Sequence, residues 1–231
     1  MKLSLTIALV LLLAQLRAAV VDVEPQRGRA VARIDWTDET NRTHHLSEFA
    51  GYPLIILPIY TRCRGACVQN VDRLKKALAS STADPRQFRV LLFSFDATDS
   101  PAILAKYRER EAIPLSWSVG GATQSNIDAL LESLAFPVGK AGSEFTHPNS
   151  LLFLDANLRL AQWIYGTGYS SGDVDAALGI ASGDSSWIAQ HSEWLYAVLL
   201  FAASALCVTL FHFAGQSTRR RRNALTVASS A

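Results

Sequence analysis

Two cysteines four positions apart, in Cys63-Arg64-Gly65-Ala66-Cys67, carry the chemistry this sequence can do. They fall between a continuous apolar run, Pro53 to Tyr60, and a stretch with helical spacing, Val68 to Ala79, in which Val71, Leu74 and Leu78 share a face. The junction of a strand end and a helix start is where α/β sheets build sites. A thiol there has its thiolate favoured by the helix dipole, and Arg62 and Arg64 add positive charge beside it. On a regular helical turn, positions i and i+4 hold their Cβ atoms about 5–6 Å apart, whereas a disulfide wants about 3.5–4.5 Å. One metal ion can bridge the wider spacing. Gly65 lets the backbone tighten, so a disulfide, reactive or merely structural, stays open.

Histidines narrow the choice. His44 and His45 lie in an expected N-terminal hairpin, as surface residues. His191 precedes an apolar C-terminal segment, and His212 and Cys207 lie within it. His147 sits in the loop before an expected strand, Ser150 to Leu154, next to the turn that carries the cysteines in a thioredoxin-like sheet. Without such neighbours a loop histidine would be exposed and inert. Two thiolates and an imidazole make a three-ligand set. Soft thiolates select Cu(I) or Zn(II), and structural zinc asks for four protein ligands. With no obvious fourth Cys or His outside the apolar segment, copper is the better match. Met1 is the sole methionine, which excludes a copper site built on internal thioethers.

The elements that must position these residues alternate. Arg33 to Trp36 and Thr43 to Leu46 read as a hairpin across a polar turn. Pro53 to Tyr60 reads as a buried strand, with Pro58 implying a bulge or a strand end. Val68 to Ala79 is a helix and Phe88 to Phe95 a second buried strand. Pro101 to Arg110, with Ser100 as N-cap, and Ser125 to Leu134 are helices. Ser150 to Leu154 and Leu160 to Tyr165 form a hairpin, and Ser171 to Ile180 a last short helix. Two βα units followed by a hairpin and a helix describe an α/β, thioredoxin-like fold with an N-terminal β-hairpin extension.

The two ends set a topology. Leu3 to Leu16 carries no charge, follows Lys2 and precedes Ala18 and Ala19, which reads as a signal peptide over 1–19, or an uncleaved anchor. Leu195 to Ala214 is 20 residues without a charge, long enough to span about 30 Å as a helix. Trp194 and Tyr196 stand at one end and Arg219 to Arg222 beyond the other, so the tail is expected in the cytoplasm. The organisation expected is a folded domain over 20–181, a linker over 182–193, a transmembrane helix over 194–215 and a basic tail over 216–231. The domain then lies outside the cytoplasm, periplasmic or equivalent, tethered to the membrane by its C-terminal helix. All 20 Asp and Glu fall between Asp22 and Glu193 with 16 Lys and Arg, a net charge of −4. A mildly acidic domain without a basic stripe is a poor nucleic-acid binder.

In order along the chain, Leu46 to Gly51, Tyr60-Thr61-Arg62-Cys63 to Cys67, Ser94-Phe95-Asp96 to Pro101, and His147 eight residues before Asp155 resemble the Sco (SenC) family. These are membrane-tethered, thioredoxin-fold copper proteins, and the likeness covers roughly Asp35 to Ile180. It implies that Cys63, Cys67 and His147 bind one copper, Cu(I) or Cu(II). It further implies a metallochaperone that serves the dinuclear copper centre of cytochrome c oxidase subunit II. The alternative is a thiol-disulfide oxidoreductase acting on that subunit's cysteines or another partner, with Cys63 attacking and Cys67 resolving. Arg64, Val68 and Ala97 replace the family's usual prolines, the anchor is C-terminal, and Thr146 replaces an Asp before the histidine. Loss of that Asp removes an expected acceptor for His147, worth about 10–100-fold in metal affinity.

Overall fold

A computed structural model describes residues 26–183 apart from Ser143, together with Val198 and 200–204. The chain separates into two units at 184–185. In the second, Val198 and 200–204 are helical and exposed. No helix among the described residues is long and apolar enough to cross a membrane. The expected signal segment, the basic tail and most of the linker and of the span over 194–215 lie outside the described residues.

Strands β1 (Asp35–Asp38) and β2 (Thr43–His45) form the expected hairpin, and a 3-10 turn, Leu46–Phe49, leads to β3 (Leu54–Ile59). Then come α1 (Ala66–Ala79), β4 (Arg89–Ser94), α2 (Pro101–Arg110), β5 (Ser118–Gly121) and α3 (Gln124–Ser133). A small hairpin of β6 (Gly139–Ala141) and β7 (Glu144–Thr146) precedes β8 (Ser150–Leu154), β9 (Leu160–Tyr165) and α4 (Ser171–Ser182). The seven-stranded sheet runs β2-β1-β5-β4-β3-β8-β9. Its centre, β3, β4 and β5, is parallel, and β8 joins β3 antiparallel.

Every residue of β3 is buried, because the sheet is covered on both faces. Ile56, Leu91 and Leu152 face Ile127 and Leu130 of α3. Ile55, Leu57, Leu92 and Phe153 face Val71 and Leu74 of α1, Tyr107 of α2 and Val174 of α4. The period-2 alternation of β3 thus splits one apolar run between two cores. Pairing of β3 with β8 stops at Ile56, whereas pairing with β4 continues to Ile59. Ile59 turns its carbonyl to β4, so Pro58 faces the other side, where the ladder has already ended and its missing N–H costs no bond. The expected strand end is therefore one-sided.

Ser100 precedes α2 in extended conformation, with Pro101 at the first helical position, but its hydroxyl does not cap the helix. Ser170 does cap α4, accepting from the Asp173 N–H. His44, expected at the surface, is half-buried: it stacks on Trp36 at 4.7 Å and bridges Asp38 and Glu48.

Strand β5 escaped the sequence reading because Gly120 and Gly121 are poor strand formers. The structure gives the reason for Gly120: a Cβ there would stand 2.3 Å from the Trp36 ring and 2.8 Å from the Thr37 carbonyl. Gly120→Ala is therefore expected to destabilise the domain by about 1–3 kcal/mol through overpacking, measured by urea unfolding.

Candidate metal and redox site

The cysteines lie at the C-terminal end of β3, as expected, but not on one helical turn. Helix α1 starts at Ala66 with Gly65 as N-cap, so Cys67 is in its first turn and Cys63 in the loop before it. The helical spacing argument does not apply, and the two thiols contact each other. Both are free; Cys63 is 8% exposed and Cys67 only 2%. Cys63 and His147 line an open cleft of about 1340 Å³, with Cys67 behind them.

The thiols are electrostatically unlike. Burial pushes Cys63 up, yet hydrogen bonds from the Cys67 thiol, the N–H groups of Gly65 and Cys67, and the Tyr60 side chain outweigh it and hold Cys63 below the ordinary thiol range. Burial, reinforced by Cys63, raises Cys67 far above that range. The expected help from Arg62 is largely spent elsewhere, since Arg62 pairs with the buried Asp96. A lowered value means that more Cys63 than ordinary thiol is ionised at pH 7, and the thiolate is the reactive form. Iodoacetamide is expected to alkylate Cys63 at neutral pH, its rate levelling off below the pH where a free cysteine's does. Cys67 is expected to remain unmodified until the chain unfolds. Mass spectrometry of the peptides checks both.

His147 stands at the cysteines as expected. Its Nε2 is 3.6 Å from Cys67 Sγ, and its Nδ1 is 2.9 Å from the Pro148 carbonyl. A carbonyl only accepts, so Nδ1 carries a proton, and in the neutral ring the Nε2 lone pair faces the sulfur. The acceptor that the absent Asp was expected to supply is thus a backbone carbonyl, so the expected loss of an acceptor for His147 does not occur. Phe95, Phe136 and Tyr60 surround the ring at 5.0, 5.9 and 5.9 Å.

The donors fit a soft metal. With bonds of about 2.3 Å to sulfur and 2.0 Å to nitrogen at a tetrahedral angle, two ligands of one ion stand about 3.5 Å apart. The Cys67–His147 pair is already at that separation. Among the described residues no three His, Cys, Asp or Glu side chains are gathered into a metal-binding group. Ligation by all three therefore has to draw Cys63 in from the cleft side.

Two braces were not legible in the sequence. Asp99, buried behind the loop, accepts from the Thr61 N–H at 2.9 Å and from the Thr61 and Ser94 hydroxyls, both at 2.6 Å. This explains why Ser94 and Asp99 accompany the cysteines. The second is the β6–β7 hairpin, closed at Gly142 with φ +66°. It brings Glu144, three positions before His147, to accept from the Tyr60 hydroxyl at 2.8 Å. Neither of its three-residue strands carries enough alternation to be read from the sequence.

The sequence signature of the SCO1/SenC family matches residues 23–175. The chain belongs to this family. Its Sco domain has the thioredoxin-like fold, and solved structures agree. A protein from Aquifex aeolicus VF5 assigned to electron transfer is 30% identical, with TM-score 0.65, over 68% of this chain and 95% of that one. Bradyrhizobium japonicum ScoI, solved with copper bound, is 16% identical, with TM-score 0.57, over 64% of this chain and 97% of that one. BsSco, described as a member of the Sco family of cytochrome c oxidase assembly proteins with a disulfide switch, is 21% identical, with TM-score 0.57, over 68% of this chain and 96% of that one. A comparison with curated protein sequences finds no match.

Proposed function

We propose that this Sco protein is a copper metallochaperone whose Cys63, Cys67 and His147 hold one copper ion as cargo. The observation that carries the reading is the 3.6 Å approach of His147 Nε2 to Cys67 Sγ, with the ring oriented by Pro148. Copper is the cargo rather than zinc because three donors, two of them soft, satisfy Cu(I), and because the B. japonicum relative was solved with copper. Cys63, on the cleft side, is the donor that an acceptor thiol replaces first; Cys67, the buried one, is replaced last. The acceptor is cytochrome c oxidase subunit II, in keeping with the assembly role stated for BsSco. The C-terminal apolar segment tethers the domain to the membrane, on the side away from the cytoplasm.

The test is a competitive titration of the reduced full chain with Cu(I) against a chromophoric chelator. One equivalent per chain is expected, lost in Cys63→Ser and in Cys67→Ser. Failure of the reduced wild type to take copper from the chelator would overturn the proposal. The second reading, a thiol-disulfide oxidoreductase, is favoured by the contrast between Cys63, held below the thiol range, and Cys67, raised above it. That is the arrangement in which one sulfur attacks and the other resolves.

A further inference from the structure

The rim of the cleft at Cys63 is cationic. Arg62 and Arg64 come from the cysteine loop and Lys106 and Arg110 from α2, more than forty positions later. Arg62 pairs with Asp96 and Arg110 with Glu111. Arg64 and Lys106 are exposed and have no ion pair among the described residues. Only Glu111 and Glu144 supply carboxylates to the lining, and Glu144 receives the Tyr60 hydroxyl. The stretch from Asp22 to Glu193 has a net charge of −4, so this is a local reversal of sign centred on the reactive sulfur. Ile103, 41% exposed, adds an apolar contact to the same rim.

We infer that this rim is the docking surface for a protein partner, and that the partner presents its thiols on an acidic segment. The inference rests on Cys63 exchanging with a partner's sulfur, which both readings of the site require. Charges flanking a cleft concentrate an oppositely charged partner and raise its association rate, by about tenfold or more at low salt. The cleft is open, with a volume of about 1340 Å³, and the two cations that have no ion pair among the described residues stand on separate elements.

The test uses exchange at Cys63 of the reduced full chain with model disulfides. The Cys63 thiolate attacks one sulfur of the probe. A Cys63–probe disulfide forms, the probe's own S–S bond breaks, and its other half leaves as thiolate, so the probe is the oxidant. Two synthetic peptide disulfides are compared, one with Glu flanking its cysteine and one with Lys, beside neutral 2,2′-dithiodipyridine. The Glu peptide is expected to react about tenfold faster than the Lys peptide at low ionic strength. The difference should collapse at 0.5 M salt, where screening is strong. Lys106→Glu and Arg64→Glu, each normalised to its own rate with the neutral probe, are expected to abolish or invert the preference. Equal rates for the two peptides, or a preference unmoved by both substitutions, would overturn the docking surface. A dead neutral probe would instead sink the reactive thiol on which the site rests.

Discussion

Replacing His147 by Ala is expected to lower Cu(I) affinity by more than 100-fold while leaving the exchange of Cys63 with a neutral disulfide within about threefold of wild type. The two outcomes separate because the imidazole serves them differently. On the proposed ligand set it is the third donor for copper, and losing a ligand exceeds the about 10–100-fold that losing only an outer partner costs. Two thiolates still bind Cu(I), so residual weak binding is expected, not none. For exchange, the favourable influences on Cys63 come from the Cys67 thiol, the Gly65 and Cys67 N–H groups and Tyr60, with His147 not among the main ones. Chelator competition and the rate of reaction with dithiodipyridine are the two measurements. Unchanged copper affinity would remove the imidazole from the ligand set and leave the oxidoreductase reading standing.

The second large effect is on stability. Asp99→Ala leaves three donors without their acceptor: the Thr61 N–H and the Thr61 and Ser94 hydroxyls. An unsatisfied buried donor costs about 1–3 kcal/mol, and the hydroxyls can turn to recover part of it. A net loss of about 3 kcal/mol is expected in urea unfolding, with a fall in Tm of about 6–12 °C for a domain of this size. Asp99→Asn preserves shape but points an amide N–H₂ at a donor, so an intermediate loss is expected. Thr61→Val combined with Asp99→Ala should lose less than the two single effects added, because both remove the same contacts. A loss below about 0.5 kcal/mol in Asp99→Ala would mean that the loop is held by something else. Because Thr61 lies two residues before Cys63, the same variant should also lower the rate at which Cys63 exchanges.

Much of the site was legible because its chemistry is scarce in this chain. Two cysteines flank one turn, and His147 is the histidine that a thioredoxin-like topology carries to that turn. The bounds of α2, β8 and β9 follow from strong local signals: Pro101 at a helix start, and apolar runs on either side of Asp155 to Arg159. What escaped depends on tertiary context. Gly120 and Gly121 argue against a strand until Trp36 is seen lying against the backbone. The Pro148 carbonyl has no sequence signature as an acceptor, so a side-chain loss at Thr146 looked uncompensated. The influence of Arg62 was overrated because its partner, Asp96, stands 34 positions away. The cationic rim is invisible as a run, since its members come from two separate segments.

The order of pieces along the chain has a consequence for how the site comes into being. Cys67 and the histidine that meets it are 80 positions apart, and the strand that follows His147 is also the one that closes the open edge of β3. During synthesis the thiols emerge, and α1 can form, while β8 does not yet exist. Until it docks, β3 lacks one neighbour and Cys67 lacks its imidazole. Closing that loop is a non-local, high-contact-order step of the kind that limits folding rates. Nascent or truncated chains ending before His147 therefore hold two thiols that can oxidise but no third donor. On the proposed ligand set, competence to carry the cargo arrives only once β8 has docked on β3, so that cargo loading would report that this part of the sheet has closed.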